Sequence, residues 1–221
     1  MGLVGCAARQ PAGPTALQYD LGPLPPQAGL GAGAPLLEIS MRAGVPVLAS
    51  SAMLFRLIYV QAQQVQPYAL ARWSQPPLVL VAQQVRHRMA RRFAVLTPGE
   101  VLPSPGAPAQ PASAAQGQPD PALPRTQPLR RVLGLRLTLE EFSQVFETRE
   151  RSSGLVRVRA TLVQRDDRGG DVLLAQHTLA VQQPAPSADA AGGVVALAAA
   201  TTQLVQELDD WVAQVQSHTA S

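Results

Sequence analysis

The stretch Val132-Leu133-Gly134-Leu135-Arg136-Leu137-Thr138-Leu139-Glu140-Glu141-Phe142-Ser143-Gln144-Val145-Phe146 decides the fold. Leucine recurs at every second position from 133 to 139, the period of a strand that buries one face. At Glu140-Glu141-Phe142 the phase shifts, the mark of a bulge. The segments downstream carry the same period. Leu155 to Gln164 sets Val156, Val158, Ala160 and Leu162 on one parity and Leu155, Arg157 and Arg159 on the other. Asp166-Asp167-Arg168-Gly169-Gly170 has the composition of a hairpin loop, and Val172 to Val181 is its return strand. Together these segments predict an antiparallel meander over 130–183.

Two amphipathic helices flank this region. Behind Ser74-Gln75-Pro76-Pro77, the residues Leu78, Val81, Ala82, Val85, Met89 and Phe93 recur at spacings of three and four, which predicts a helix capped by Ser74 and ending near Arg92. After a linker at 184–193, residues 194–216 place Leu197, Leu204, Leu208, Trp211 and Val215 on one face, a second helix. Shorter strands are expected near Tyr19-Asp20-Leu21, over Leu36 to Arg42, over Met53 to Val60 and over Phe93 to Thr97. Gln61 to Pro67 reads as a polar turn or a continuing edge strand. Alternating strands and amphipathic helices must bury their apolar faces on one another. The expected fold class is therefore α+β: a mostly antiparallel sheet covered on one face by two amphipathic helices.

Residues 98–128 hold nine prolines and almost no charge. Such a segment cannot build a core and is expected to be a disordered loop within the domain. The domain organisation that follows is a tether over 1–18 and one domain over 19–217, interrupted at 98–128.

The chain has 221 residues, 46% hydrophobic, enough for a packed core. All 18 basic residues are arginine, against 15 acids, for a net charge of +3. That excess is small, and aromatics are only 4%, so the dense basic and aromatic face of a nucleic-acid binder is missing. No apolar run reaches the length of a transmembrane helix. His87, His177 and His218 stand in no metal-ligand spacing. The acid pairs Glu140-Glu141, Asp166-Asp167 and Asp209-Asp210 offer no general acid/base arrangement, because neighbours on a strand point to opposite faces and aspartates in a turn serve the backbone. There is no P-loop and no nucleophile elbow, and Gly29-Leu30-Gly31-Ala32-Gly33 lacks the context of a dinucleotide fingerprint. No enzyme activity, metal or cofactor is expected. Arg86, Arg88, Arg91 and Arg92 crowd the end of the first helix, either matching its C-terminal dipole or meeting an anionic surface.

Leu3-Val4-Gly5-Cys6-Ala7 is similar to a bacterial lipobox, in which small residues precede a cysteine that is lipidated. The polar stretch behind it reads as a tether. The apolar segment such a signal needs is expected upstream of Met1. With this cysteine come Tyr19-Asp20-Leu21, Val45-Pro46, Met53-Leu54-Phe55-Arg56-Leu57, and Tyr68-Ala69-Leu70-Ala71-Arg72-Trp73-Ser74-Gln75-Pro76-Pro77 leading into a helix, then a meander and an Ala-rich last helix. This order resembles the ABC-type transport auxiliary lipoproteins, the PqiC-like family. The likeness covers most of the chain, and the Arg72-Trp73 step is its most specific part.

The resemblance implies a periplasmic lipoprotein held to the outer membrane through Cys6. It implies, as partners, an MCE-type substrate-binding protein and an ABC permease and ATPase that move lipids between the two membranes. A homo-oligomeric ring is also implied. Arg72 and Trp73, with Arg88 and Arg91, are the candidate interface residues; for Trp73 a place in the core beside the helix start is the alternative. A different envelope-assembly or secretion-accessory lipoprotein is the alternative function.

Overall fold

Val132–Phe146 forms one 15-residue strand, and the rest of the sheet is arranged around it. The computed structural model describes residues 15–27, 29–31, 33–100, 132–165 and 170–219. Among them the elements are β1 (Leu17–Tyr19), β2 (Leu36–Ala43), a 3-10 turn (Pro46–Ala49), β3 (Ala52–Leu57), α1 (Ile58–Gln61), β4 (Gln66–Trp73), α2 (Pro77–Met89), β5 (Ala94–Leu96), β6 (Val132–Phe146), β7 (Ser152–Arg165), β8 (Asp171–Pro184) and α3 (Ala190–Thr219).

On one side β6 pairs antiparallel with β7, from Leu133↔Gln164 to Phe146↔Ser152, and β7 pairs antiparallel with β8. This is the predicted meander. On its other side β6 serves two neighbours in turn. Its first half, Val132 to Leu139, pairs parallel with β2, and its last residues, Gln144 to Phe146, pair parallel with β3. The sheet forks between them. The register shift lies at the fork, between Leu139 and Glu141, where the leucine pattern predicts it. Gly44, just past β2, donates its N–H to the Leu139 carbonyl at 2.7 Å, and a Cβ there would stand 3.0 Å from that oxygen. From β3 the sheet continues through β4 to β1, and from β2 to β5.

The sheet is therefore mixed, not mostly antiparallel. Four pairings are parallel (β1–β4, β2–β5, β2–β6, β3–β6) and three antiparallel (β3–β4, β6–β7, β7–β8). Hairpins leave a local signal in turn residues and alternation. Parallel neighbours joined through crossovers leave none.

Several boundaries also differ from expectation. The strand predicted over Met53 to Val60 stops at Leu57, and Ile58–Gln61 is a helical turn. The Ser74 cap is not formed: Pro76 stands at the N-cap of α2, and the Ser74 hydroxyl donates to Asp20 Oδ2 at 2.5 Å. The last helix begins at Ala190 rather than 194, so Gly192-Gly193 are helical. Of the predicted loop at 98–128, residues 101–128 lie outside the described residues, as do the hairpin residues 166–169 and the tether through residue 14.

The core lies between the sheet and the two long helices. Leu37, Ile39, Leu135, Leu137, Val158 and Leu162 from the strands meet Val81, Val85 and Met89 from α2 and Leu197, Leu204 and Leu208 from α3. Gly154 of β7 and Gly193 of α3 let the last helix come close. A Cβ at Gly154 would stand 2.6 Å from the Leu197 nitrogen, and one at Gly193 would stand 2.0 Å from Gln144 Oε1.

Candidate functional site

β1 and β4 bring together two segments far apart in the sequence, Tyr19-Asp20 and Arg72-Trp73-Ser74. β1 runs parallel to β4 with Gln18 opposite Arg72 and Tyr19 opposite Trp73. The Ser74 N–H donates to the Tyr19 carbonyl at 2.7 Å, beside the Ser74–Asp20 side-chain bond. Strand alternation sends Ala71 and Trp73 inward and Arg72 outward. Trp73 is 1% exposed, with its ring edge-on to Phe142 at 5.3 Å between centroids. It is a core residue, so its place among the candidate interface residues does not hold. Arg72 is exposed.

Past β1, Leu21 to Gln27 with Gly29 and Leu30 lie against the C-terminal end of α2 and the middle of α3 and leave a groove of about 670 Å³. Leu21, Pro23, Pro25, Pro26 and Leu30 form one wall; Gln84, His87 and Arg88 of α2, Arg91 just past it, and Thr202, Val205 and Gln206 of α3 form the other. Prolines suit the strap because they hold an extended backbone without needing hydrogen-bond partners. The Gln27 amide donates to the His87 carbonyl, fastening it to α2.

The groove contains two of the candidate interface residues, in different states. Arg88 Nε is 2.8 Å from Asp209 Oδ2 on α3, and Arg92 binds the other oxygen, Oδ1, at 2.9 Å. Arg88 thus serves the α2–α3 contact. Arg91 is exposed at the rim and, among the described residues, has no acidic side chain within 4.0 Å. Arg72 does not line this groove.

A third surface is absent from the candidates read from the sequence. From Leu57 to Ala71 there is no charged residue. Within that span Ile58, Tyr59, Val60, Val65 and Leu70 are all at least 37% exposed. Alternating strand geometry through Val60 would have buried half of these, but the strand ends at Leu57 and the helical turn carries Ile58, Tyr59 and Val60 out to solvent. The absence of charge over so long an exposed stretch, in a chain with 15% charged residues, is the signal that could have identified it.

Behind this hairpin lies a polar cluster that joins four elements. Gln144 of β6 is fully buried; its Oε1 accepts from the Tyr68 hydroxyl at 2.8 Å, and its amide donates to Ser152 Oγ at 2.8 Å and to the Asp189 carbonyl at 3.0 Å. Burial, with the Asp189 charge nearby, pushes the Tyr68 phenol up to about 12. Asp189 caps α3: its Oδ1 accepts from the Gly192 N–H at 2.8 Å, and that bond, with the Ser187 hydroxyl, holds its carboxyl below the usual range. These groups satisfy one another and act as a structural tie.

Among the described residues no three or more His, Cys, Asp or Glu side chains are grouped to hold a metal ion, and no helix is long and apolar enough to cross a membrane.

No family profile and no curated protein matches the sequence. Solved structures do match. A crystal structure of protein XCC0632 from Xanthomonas campestris, described as a DUF330 protein, superposes with a TM-score of 0.63 at 16% identity, covering 92% of this chain and 99% of that one. The crystal structure of an uncharacterized protein superposes with a TM-score of 0.56 at 10% identity, covering 90% and 99%. At these identities the likeness is one of fold.

Proposed function

We propose that this chain is a non-enzymatic lipoprotein of the bacterial periplasm, held to the outer membrane through Cys6, which serves an MCE-type ABC system that moves lipids between the two membranes. It acts by docking to the substrate-binding protein of that system. The observation that carries this reading is the meeting of Tyr19-Asp20 with Trp73-Ser74. These are two of the segments on which the resemblance to the ABC-type transport auxiliary lipoproteins rests, and they form one hydrogen-bonded unit although 54 residues separate Asp20 from Ser74. A motif shared with a family is worth more when its parts have a common structural reason.

The surface chemistry fits a docking part. The hairpin around Ile58, Tyr59, Val60 and Val65 is exposed, apolar and free of charge, the character of the core of an interface. Cys6 itself lies outside the described residues.

The test has two stages. The protein expressed in a bacterial host with its native upstream DNA gains an acyl-sized mass that a Cys6→Ala change abolishes. Affinity purification of the lipidated form from envelope membranes then brings down an MCE-type protein. Val60→Asp and Tyr59→Ala abolish that capture while leaving the thermal midpoint within a degree or two, since both side chains are exposed. An unmodified Cys6 removes the lipoprotein assignment. A lipidated chain that captures no component of such a transporter returns the alternative of another envelope-assembly accessory.

A further inference from the structure

The face of the sheet turned away from α2 and α3 carries a different chemistry from the core face. Between Ile39, Leu135, Leu137, Leu139, Val158 and Ala160, which point into the core, strand alternation sets Ser40, Arg136, Thr138, Arg159 and Thr161 on the opposite side. With Arg42 and Gln176 they surround a cavity of about 530 Å³ in the middle of β2, β6, β7 and β8. Register brings them together: Ser40 is paired with Arg136, Arg136 with Thr161, Thr138 with Arg159, and Thr161 with Gln176.

The three arginines are not equally engaged. Arg136 is ion-paired to Asp171, and Arg159 Nε lies 3.4 Å from Glu140 Oε1. Arg42 donates its Nε to Thr138 Oγ1 at 3.1 Å, and among the described residues no carboxylate comes within 4.0 Å of it. Its Nε bond orients the guanidinium while leaving the terminal nitrogens for another acceptor. Three cations against two carboxylates leave one positive charge, beside the hydroxyls of Ser40, Thr138 and Thr161. Guanidinium groups with neighbouring hydroxyl donors match the oxygens of a phosphate, which accept several hydrogen bonds at once. A volume of this size falls in the range of small-molecule sites and exceeds what a bare phosphate fills.

The geometry points to a binding site for a phosphate group carried on a small organic ligand, held by Arg42 and Arg159 with Arg136 joining as Asp171 is displaced. This site is independent of the docking surface at the β3–β4 hairpin, so the failure of one leaves the other standing.

Titration calorimetry on the full chain tests it with three probes: inorganic phosphate, glycerol 3-phosphate, and vesicles of phosphatidylglycerol set against phosphatidylcholine. Saturable one-site binding is expected, weakened about tenfold by R42Q and by R159Q, the cost of losing a charge-assisted contact. D171N is expected to tighten it by freeing Arg136. Binding of the soluble probes supports a free phosphorylated metabolite; binding confined to phosphatidylglycerol vesicles and lost in the same variants supports a lipid headgroup. Wild-type affinity in both arginine variants, or no heat with any probe, overturns the site. Independently of any variant's folding, the Nε–H resonances of Arg42 and Arg159 in the wild-type protein shift on adding glycerol 3-phosphate; unmoved resonances overturn it as well.

Discussion

At its beginning α3 meets the sheet with almost no side chain between them, whereas two-thirds of the way along it is held to α2 by a partly solvated cluster of charge. The first contact is made by glycines: Gly154 of β7 lies under the Ala196–Leu197 peptide, and Gly193 lies over Gln144. The second is made by Asp209, 8% exposed at its side chain, between Arg88 and Arg92, which are 30% and 36% exposed. Close approach of backbones tolerates no added atom, because packed main chain cannot rotate aside. A charge cluster that reaches solvent can lose a member and rehydrate the rest. These two contacts of one helix should therefore respond very differently to single substitutions.

The largest effect is expected at Gly154. Its added Cβ would meet backbone atoms at 2.6 and 2.7 Å, so Gly154→Ala must push α3 off the sheet. Urea unfolding should show a loss of about 2–3 kcal/mol at unchanged m-value. Gly193→Ala meets a side-chain oxygen instead, but one fixed by the bond from Tyr68, and its cost is partly offset by alanine's better helix propensity. It should fall below Gly154→Ala. Equal stability of Gly154→Ala and the wild type would mean that the helix is not seated as described.

Next comes Asp209→Ala, for which about 1–2 kcal/mol is expected. Removing the carboxylate leaves two arginines without their partner, a cost that their access to water reduces. Arg92→Ala should cost less, and the Asp209→Ala/Arg92→Ala double-mutant cycle should give a positive coupling that shrinks only slightly in 1 M salt, because the carboxylate is nearly buried. A larger loss at Asp209 than at Gly154 would invert the comparison.

The same contrast explains what could be read in the sequence. The alternating leucines of β6, the bulge at Glu140-Glu141 and the two hairpins were legible because their causes are local: a period, a phase shift, a turn composition. The parallel pairing of β2 with β6 sets Leu36 opposite Val132, and nothing near either residue announces the other. Gly192-Gly193 read as a linker because glycine disfavours helix; the reason for glycine there is the closeness of Ser187 and Gln144, which leaves no room for a Cβ and is visible only after folding. Trp73 was open to two readings, and the inward parity it shares with Ala71 decides for the core. Of the candidate interface residues, Arg91 is exposed at the groove rim and Arg88 is ion-paired to Asp209, a partner 121 residues away that the sequence does not announce; the charge-free hairpin escapes a sequence reading because Ile58, Tyr59 and Val60 look like strand interior.

The smallest effect belongs to the polar tie behind the glycine-seated end. Tyr68→Phe removes the donor to Gln144 Oε1 and should cost about 1 kcal/mol at neutral pH. Its more telling consequence is at high pH. With the Tyr68 phenol at about 12 in the fold and 10 in the open chain, the protonated form is favoured by folding. That contribution is fully present below pH 10 and is lost as pH rises toward 12, because the unfolded chain releases its proton first. The sequence has no lysine, so no amine side chain titrates in this window to mask the effect. Wild type should therefore lose its advantage over Tyr68→Phe between pH 10 and 12, a crossing that paired urea titrations at pH 7, 10 and 11.5 would detect. Parallel declines in both proteins would mean that the Tyr68 phenol does not set the alkaline loss, and would leave the start of α3 held by glycine packing, the Asp189 cap and the Gln144 amide bonds alone.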